Sequence, residues 1–169
     1  MQYLFLLIAL GSFFSCEEGG ESNCYPEAVV PNWYAEKEIM VAYGAEFERN
    51  NYTVSNGDKL VFEYNHSGAQ CDDIIDDEWG EKLTFQVELG ETEFEFSNNE
   101  ILLTKCFYQQ YGAWVSHVKH EVEKGTIKGS KVSNKTWSIT VDVEIMDLLL
   151  NDKPKQIQFT ETYINVNLV

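Results

Sequence analysis

The chain contains a single arginine, Arg49, and 12 basic side chains against 28 acidic ones, a formal net charge of −16 over 169 residues. With so few cations and no basic stripe it has little to neutralise a phosphate backbone, which excludes nucleic acid as a partner. Beyond the N-terminus no run of eighteen apolar residues occurs, so no transmembrane helix is expected there. There is no CxxC pair to bind zinc and no GxSxG nucleophile elbow, and Gly125-Thr126-Ile127-Lys128-Gly129 lacks the GK[ST] ending of a phosphate loop. Disorder is excluded in turn, because 44% of residues are hydrophobic and 14% aromatic. The length suits one domain with a substantial core.

The charge is unevenly placed. The first hundred residues hold 21 acids against 4 bases, and the rest hold 7 against 8. A solvated, self-repelling face is the plainer reading; a face that meets cations or a basic partner is the sharper one.

Residues 1–15 read as a lipoprotein-type signal peptide. Tyr3 to Phe14 is a short apolar run, too short to span a bilayer, and it ends in Ser15-Cys16 followed by Glu17-Glu18-Gly19-Gly20-Glu21. A small residue before a cysteine resembles a bacterial lipobox, which implies acylation of Cys16 and palmitate-type anchoring of the mature chain. Phe13 and Phe14 stand where that pattern has Leu and a small residue. The acidic residues after Cys16 resemble the surface-export tags of Bacteroidota lipoproteins. Residues 16–37 read as a polar tether and 38–169 as one β-rich domain. Export permits disulfides. Cys24, Cys71 and Cys106 allow three pairings; Cys71 with Cys106 is expected because both fall within the body, leaving Cys24 in the tether.

From residue 38 the hydrophobic period is two. Ile39, Val41 and Tyr43, then Leu60, Phe62 and Tyr64, then Leu83, Phe85, Val87 and Leu89, each alternate with largely polar neighbours. Trp137, Ile139, Val141, Val143 and Ile145 form the cleanest alternation, and Trp137 is assigned to the core. Asn56-Gly57-Asp58, Gly90-Glu91, Lys124-Gly125 and Ser133-Asn134-Lys135 read as turns. Ser97 to Glu100 has capping-box spacing ahead of one short helix at 98–106. Ile157 and Phe159 disagree in parity with Ile164 and Val166, so a β-bulge near Thr160–Thr162 is expected. The whole predicts an all-β, antiparallel sandwich or barrel of seven to eight strands.

Chemistry concentrates between Cys71 and Glu81, where six carboxylates fall in eleven residues. Asp72, Asp73, Asp76 and Asp77 are oxygen ligands of the type Ca²⁺ takes from flexible loops, although the spacing is not that of an EF-hand. The competing reading is a solvated loop with no cofactor. Asp76 and Asp77 are also of the type glycosidases use, but neighbours on one loop do not define a sugar cleft. On a strand, His117 and His120 would face opposite ways, and His66 reads as a loop residue, so zinc is not expected. Trp79, inside the acidic loop, is the aromatic residue placed for recognition.

Four segments together resemble small exported lipoproteins of Bacteroidota of unknown function: Gly57 to Tyr64, Asp76 to Glu81, Gly125 to Gly129 and Trp137 to Val143. The resemblance implies secretion and a β-rich body and assigns no catalytic residue. The expected function is therefore a non-enzymatic binding module, anchored to the outer membrane of the cell envelope through its N-terminal lipid. Its partner would be an envelope protein or a glycan. The alternative is a lipocalin-like carrier of a small apolar ligand, which requires a barrel with a cavity.

Overall fold

The computed structural model describes residues 23–43, 50–72, 74, 78–113, 119–147 and 153–166. Within them lie eleven strands: β1 (Cys24–Tyr25), β2 (Ala28–Ala42), β3 (Asn51–Ser67), β4 (Gln70–Cys71), β5 (Trp79–Glu88), β6 (Glu93–Ser97), β7 (Phe107–Gly112), β8 (Lys119–Glu121), β9 (Lys124–Lys131), β10 (Thr136–Asp147) and β11 (Lys153–Asn165). A 3-10 helix, Asn98–Thr104, joins β6 to β7. β1 and β4 form a two-stranded ribbon, and the others form one sheet in the order β6-β9-β10-β11-β2-β3-β5-β7-β8. All pairings are antiparallel except β11 with β2, a parallel contact of two residue pairs, Ile164–Asn32 and Asn165–Trp33. The fold is all-β and sandwich-like, as the period of two predicts.

The sheet folds over at that short parallel seam. Phe62 of β3 lies 5.3 Å from Trp137 of β10, 5.7 Å from Tyr163 of β11 and 5.8 Å from Phe94 of β6, although those strands stand two or more places away in sheet order. Phe85 stacks on it at 5.1 Å. The inner faces of β6-β9-β10-β11 and β2-β3-β5-β7 therefore enclose one core, and Trp137, Ile139, Val141, Val143 and Ile145 are all buried in it. Lys135 closes the seam: its carbonyl accepts the Trp33 indole N–H at 3.1 Å and the Asn165 amide at 3.0 Å.

The long hairpin of β2 and β3 bends midway. Lys37 opposes both Asn56 and Lys59, and Glu36 takes φ 56°. Asn56-Gly57-Asp58 is thus a bulge inside β3 rather than a reversal of the chain. At Gly57 a Cβ would come within 2.3 Å of the Glu38 Cβ, so glycine is what the close approach requires. Beyond the bend, residues 37–42 and 51–56 form an arm that packs on the outer face of β3-β5-β7. Ile39, Tyr52, Val61 and Phe107 make a second, smaller core there, with Tyr52 stacked on Phe107 at 4.8 Å. Val61, Thr84 and Gln86, on the parity opposite Leu60, Phe62, Leu83 and Phe85, are buried too, on the side the arm covers.

Four further expectations change. Residues 28–37, read as tether, are the first half of β2. The helix is 3-10 in form, stopped by Lys105 in the left-handed region at φ 49°, while the Ser97 amide does donate to Glu100 Oε2 at 3.1 Å. Lys124-Gly125 opens β9 instead of turning. No bulge interrupts β11: its register with β10 is continuous, Tyr163 and Asn165 carry on the inward parity of Ile157, and Ile164 and Val166 are simply exposed.

Candidate functional site

Along the inner face of β3 the order Leu60, Phe62, Tyr64 continues to His66, so the side chains pass from apolar to polar toward one end of the sandwich. His66 is not a loop residue: it lies in β3 directly opposite Glu81 of β5. The same parity on β5 places Trp79, Glu81 and Leu83 on that face, and Tyr108 of β7 stands opposite Leu83. Lys155 reaches in from β11 on the facing half.

These residues form a connected cluster. The Tyr108 hydroxyl donates to Glu81 Oε2 at 2.6 Å, and Lys155 Nζ donates to the same oxygen at 2.8 Å and to Tyr108 Oη at 2.8 Å. His66 Nδ1 meets Glu81 Oε1 at 3.3 Å, while its Nε2 meets Glu27 Oε1 in the segment between β1 and β2. The Trp79 ring stands edge-on to His66 at 5.2 Å.

Burial pushes the Glu81 carboxyl up, but the hydrogen bonds from Lys155 and Tyr108, the Lys155 charge and the His66 contact outweigh it and hold the group below its ordinary range. For His66, burial disfavours the charged ring, yet the bonds and charges of Glu27 and Glu81 together raise it above the ordinary histidine value. Glu81 is thereby a fixed counter-ion rather than a proton carrier. The arrangement can hold Trp79 in place and bind the N-terminal segment to the sheet through Glu27.

Next to this cluster the chain is clasped covalently. Cys71 is joined to Cys24, its direct partner in the β1–β4 ribbon, with Cα atoms 4.0 Å apart. The expected Cys71–Cys106 bond does not form. Cys106 is free and fully buried between the 3-10 helix and β7, where burial pushes its thiol far up, away from the reactive thiolate. The Asp72 amide donates to the Asn23 carbonyl at 3.1 Å, which ties the start of the acidic loop to the same ribbon.

Of the expected calcium ligands, Asp72 is exposed in a turn, and Asp73, Asp76 and Asp77 lie outside the described residues, as do Cys16 and His117. Among the described residues no group of three His, Cys, Asp or Glu side chains is placed to hold a metal ion. Trp79 is half-buried as the first residue of β5, and Gly68 lies against it: a Cβ there would stand 3.1 Å from Trp79 Cε3. His66, Tyr108 and Lys155 were not legible as a site. The parity of Leu60, Phe62 and Tyr64, run one step further, is the signal that points to His66. Comparison with protein-family models, with curated proteins and with solved structures gives no match.

Proposed function

We propose that this chain is an exported lipoprotein, acylated at Cys16 and resembling those of Bacteroidota. It acts as a non-enzymatic binding module of the outer envelope and meets an envelope protein or glycan with the end of the sandwich that carries Trp79. The observation that carries this reading is the Cys24–Cys71 bond, since a disulfide between the N-terminal segment and the rim of the acidic loop suits a compartment outside the reducing cytosol. The apolar run from Tyr3 to Phe14 and the Ser15-Cys16 pair support the address. Trp79, half-buried at the start of β5 and steadied by His66 and Gly68, supports the choice of surface. A lipocalin-like carrier finds less support, because Phe62, Phe85, Trp137 and Tyr163 fill the space between the sheet halves where such a ligand would sit.

Metabolic labelling with an alkyne fatty acid tests the anchor: the label and the membrane fraction should both be lost in Cys16→Ala. Cross-linking in intact envelopes tests the surface. A cross-linked species should vanish in Trp79→Ala and persist in Leu103→Ala, an exposed apolar residue on the 3-10 helix. An unlabelled, soluble protein would defeat the address, and cross-links indifferent to Trp79 would defeat the surface.

A further inference from the structure

Between the arm and the outer face of β3-β5-β7 a groove of about 350 Å³ is lined by Tyr52, Glu63, Lys82, Phe107, Gln109 and Lys119, among others. The register explains its charge. Lys82 of β5 stands opposite Gln109 of β7, and Gln109 stands opposite Lys119 of β8. Two ammonium side chains therefore flank one amide in a single row across three strands, with backbones about 10 Å apart. Like charges brought to one face cost stability unless something neutralises them.

Lys82 has a partner, Glu63 Oε1, at 2.7 Å, and Glu63 also accepts the Tyr34 hydroxyl at 3.2 Å. Burial, followed by the charge and hydrogen bond of Glu63, pushes the Tyr34 phenol up to about 12. Lys119 has no carboxylate within ion-pair distance among the described residues. Its ammonium donates to the Tyr52 carbonyl and lies 5.4 Å from the centre of the Phe107 ring. Among the described lining residues two ammonium groups therefore face one carboxylate, Glu63, in a chain of net charge −16.

We propose that this groove is a binding site for a small anion bearing carboxylate or phosphate oxygens, which pairs with Lys119 and reaches Lys82 across Gln109. Its volume is within the range of small-molecule sites. Burial and the Lys82 charge both depress the Lys119 ammonium, and a bound anion would offset both. The Phe107 ring and the Tyr52 backbone fix the ammonium in advance, which reduces the ordering cost of binding. The site is independent of the Trp79 surface and of the membrane anchor.

The test uses the full chain in non-ionic detergent, unmodified and carrying ¹³C,¹⁵N-labelled lysine, so that the side-chain Cε and Nζ signals of each ammonium report separately. It is titrated with inorganic phosphate, with glucuronate and with neutral glucose. Saturable shifts at Lys119 and Lys82 are expected with one or both anions and none with glucose. Phosphate alone would identify a phosphate ligand, and glucuronate alone a sugar acid. Affinity should fall at least tenfold in Lys119→Gln and be restored in Lys119→Arg, which keeps the charge and the donor to Tyr52. Lys82→Gln, which touches no backbone group of the arm, should weaken binding on an intact fold. The proposal fails if neither anion shifts Lys119, if Lys124 and Lys128 on the other half of the sheet shift equally, or if Lys119→Gln and Lys82→Gln both bind as the parent does.

Discussion

The two cores of the molecule are built differently. Between the sheet halves, Phe62 and its ring neighbours fill space contributed by strands distant in sequence, and the backbone around them is satisfied by the sheet ladder. Under the arm, four residues suffice, and much of the backbone at the arm's edge is satisfied by side chains instead. Gln86 Oε1 accepts the Ile39 amide at 2.6 Å, Lys105 Nζ donates to the Ile39 carbonyl at 2.7 Å, and Lys119 Nζ donates to the Tyr52 carbonyl. An apolar core of the first kind stands or falls as a whole. A patch held by a few polar clamps can open while the rest of the fold stays closed.

Removing a ring from the first core should have the largest effect. Phe62→Ala is expected to lower global stability by about 3–5 kcal/mol, read by urea unfolding, with amides of β3, β5 and β10 losing protection together. A small change, or one confined to β3, would mean that the sheet halves are less coupled than the ring contacts imply.

An intermediate effect is expected at the arm. Gln86→Ala leaves the buried Ile39 amide without its acceptor, at a cost of about 1–3 kcal/mol. Hydrogen exchange should speed up for residues 37–42 and 51–56 while β10 remains protected. Loss of protection in both regions to the same degree would make the arm and the sandwich one cooperative unit.

The smallest effect belongs to the polar end of the first core. His66 has a raised value in the fold, so its pairing with Glu27 and Glu81 contributes stability that is fully present below the unfolded histidine value of 6.5 and is lost as pH rises through the folded one. Glu81 works in the opposite sense. Its depressed value gives stability present above the ordinary carboxylate range and lost as pH falls through the folded value. A stability profile from pH 6 upward should therefore decline in the parent and flatten in His66→Gln, with arm exchange unaltered. An unchanged slope would show that His66 is not the group responsible.

The contrast between the cores also marks what the sequence reveals. Alternation in β10 named five core residues, because an inward strand carries its own period from Trp137 to Ile145. The same rule failed at Val61, Thr84 and Gln86, which lie on the outward parity and are buried only because the arm covers them. Asn56-Gly57-Asp58 announces a change of direction, but local chemistry does not distinguish a reversal from a bend, and the bend is what builds the second core. In β11 the apolar Ile164 and Val166 suggested a slip that the continuous register with β10 does not contain. The polar cluster was hidden for another reason: Lys155 lies 74 positions from Glu81, and nothing nearby in the chain announces a partner across the fold.

Under the acylation of Cys16 proposed above, the clasp at Cys24 has a mechanical consequence. A free segment running to residue 37 would have let the body swing some 70 Å from the bilayer, whereas the eight residues from Cys16 to Cys24 span at most about 28 Å when fully drawn out. On so short a leash the clasped end would stay close to the lipid headgroups, and the partner proposed for Trp79 would lie in that thin layer above the membrane.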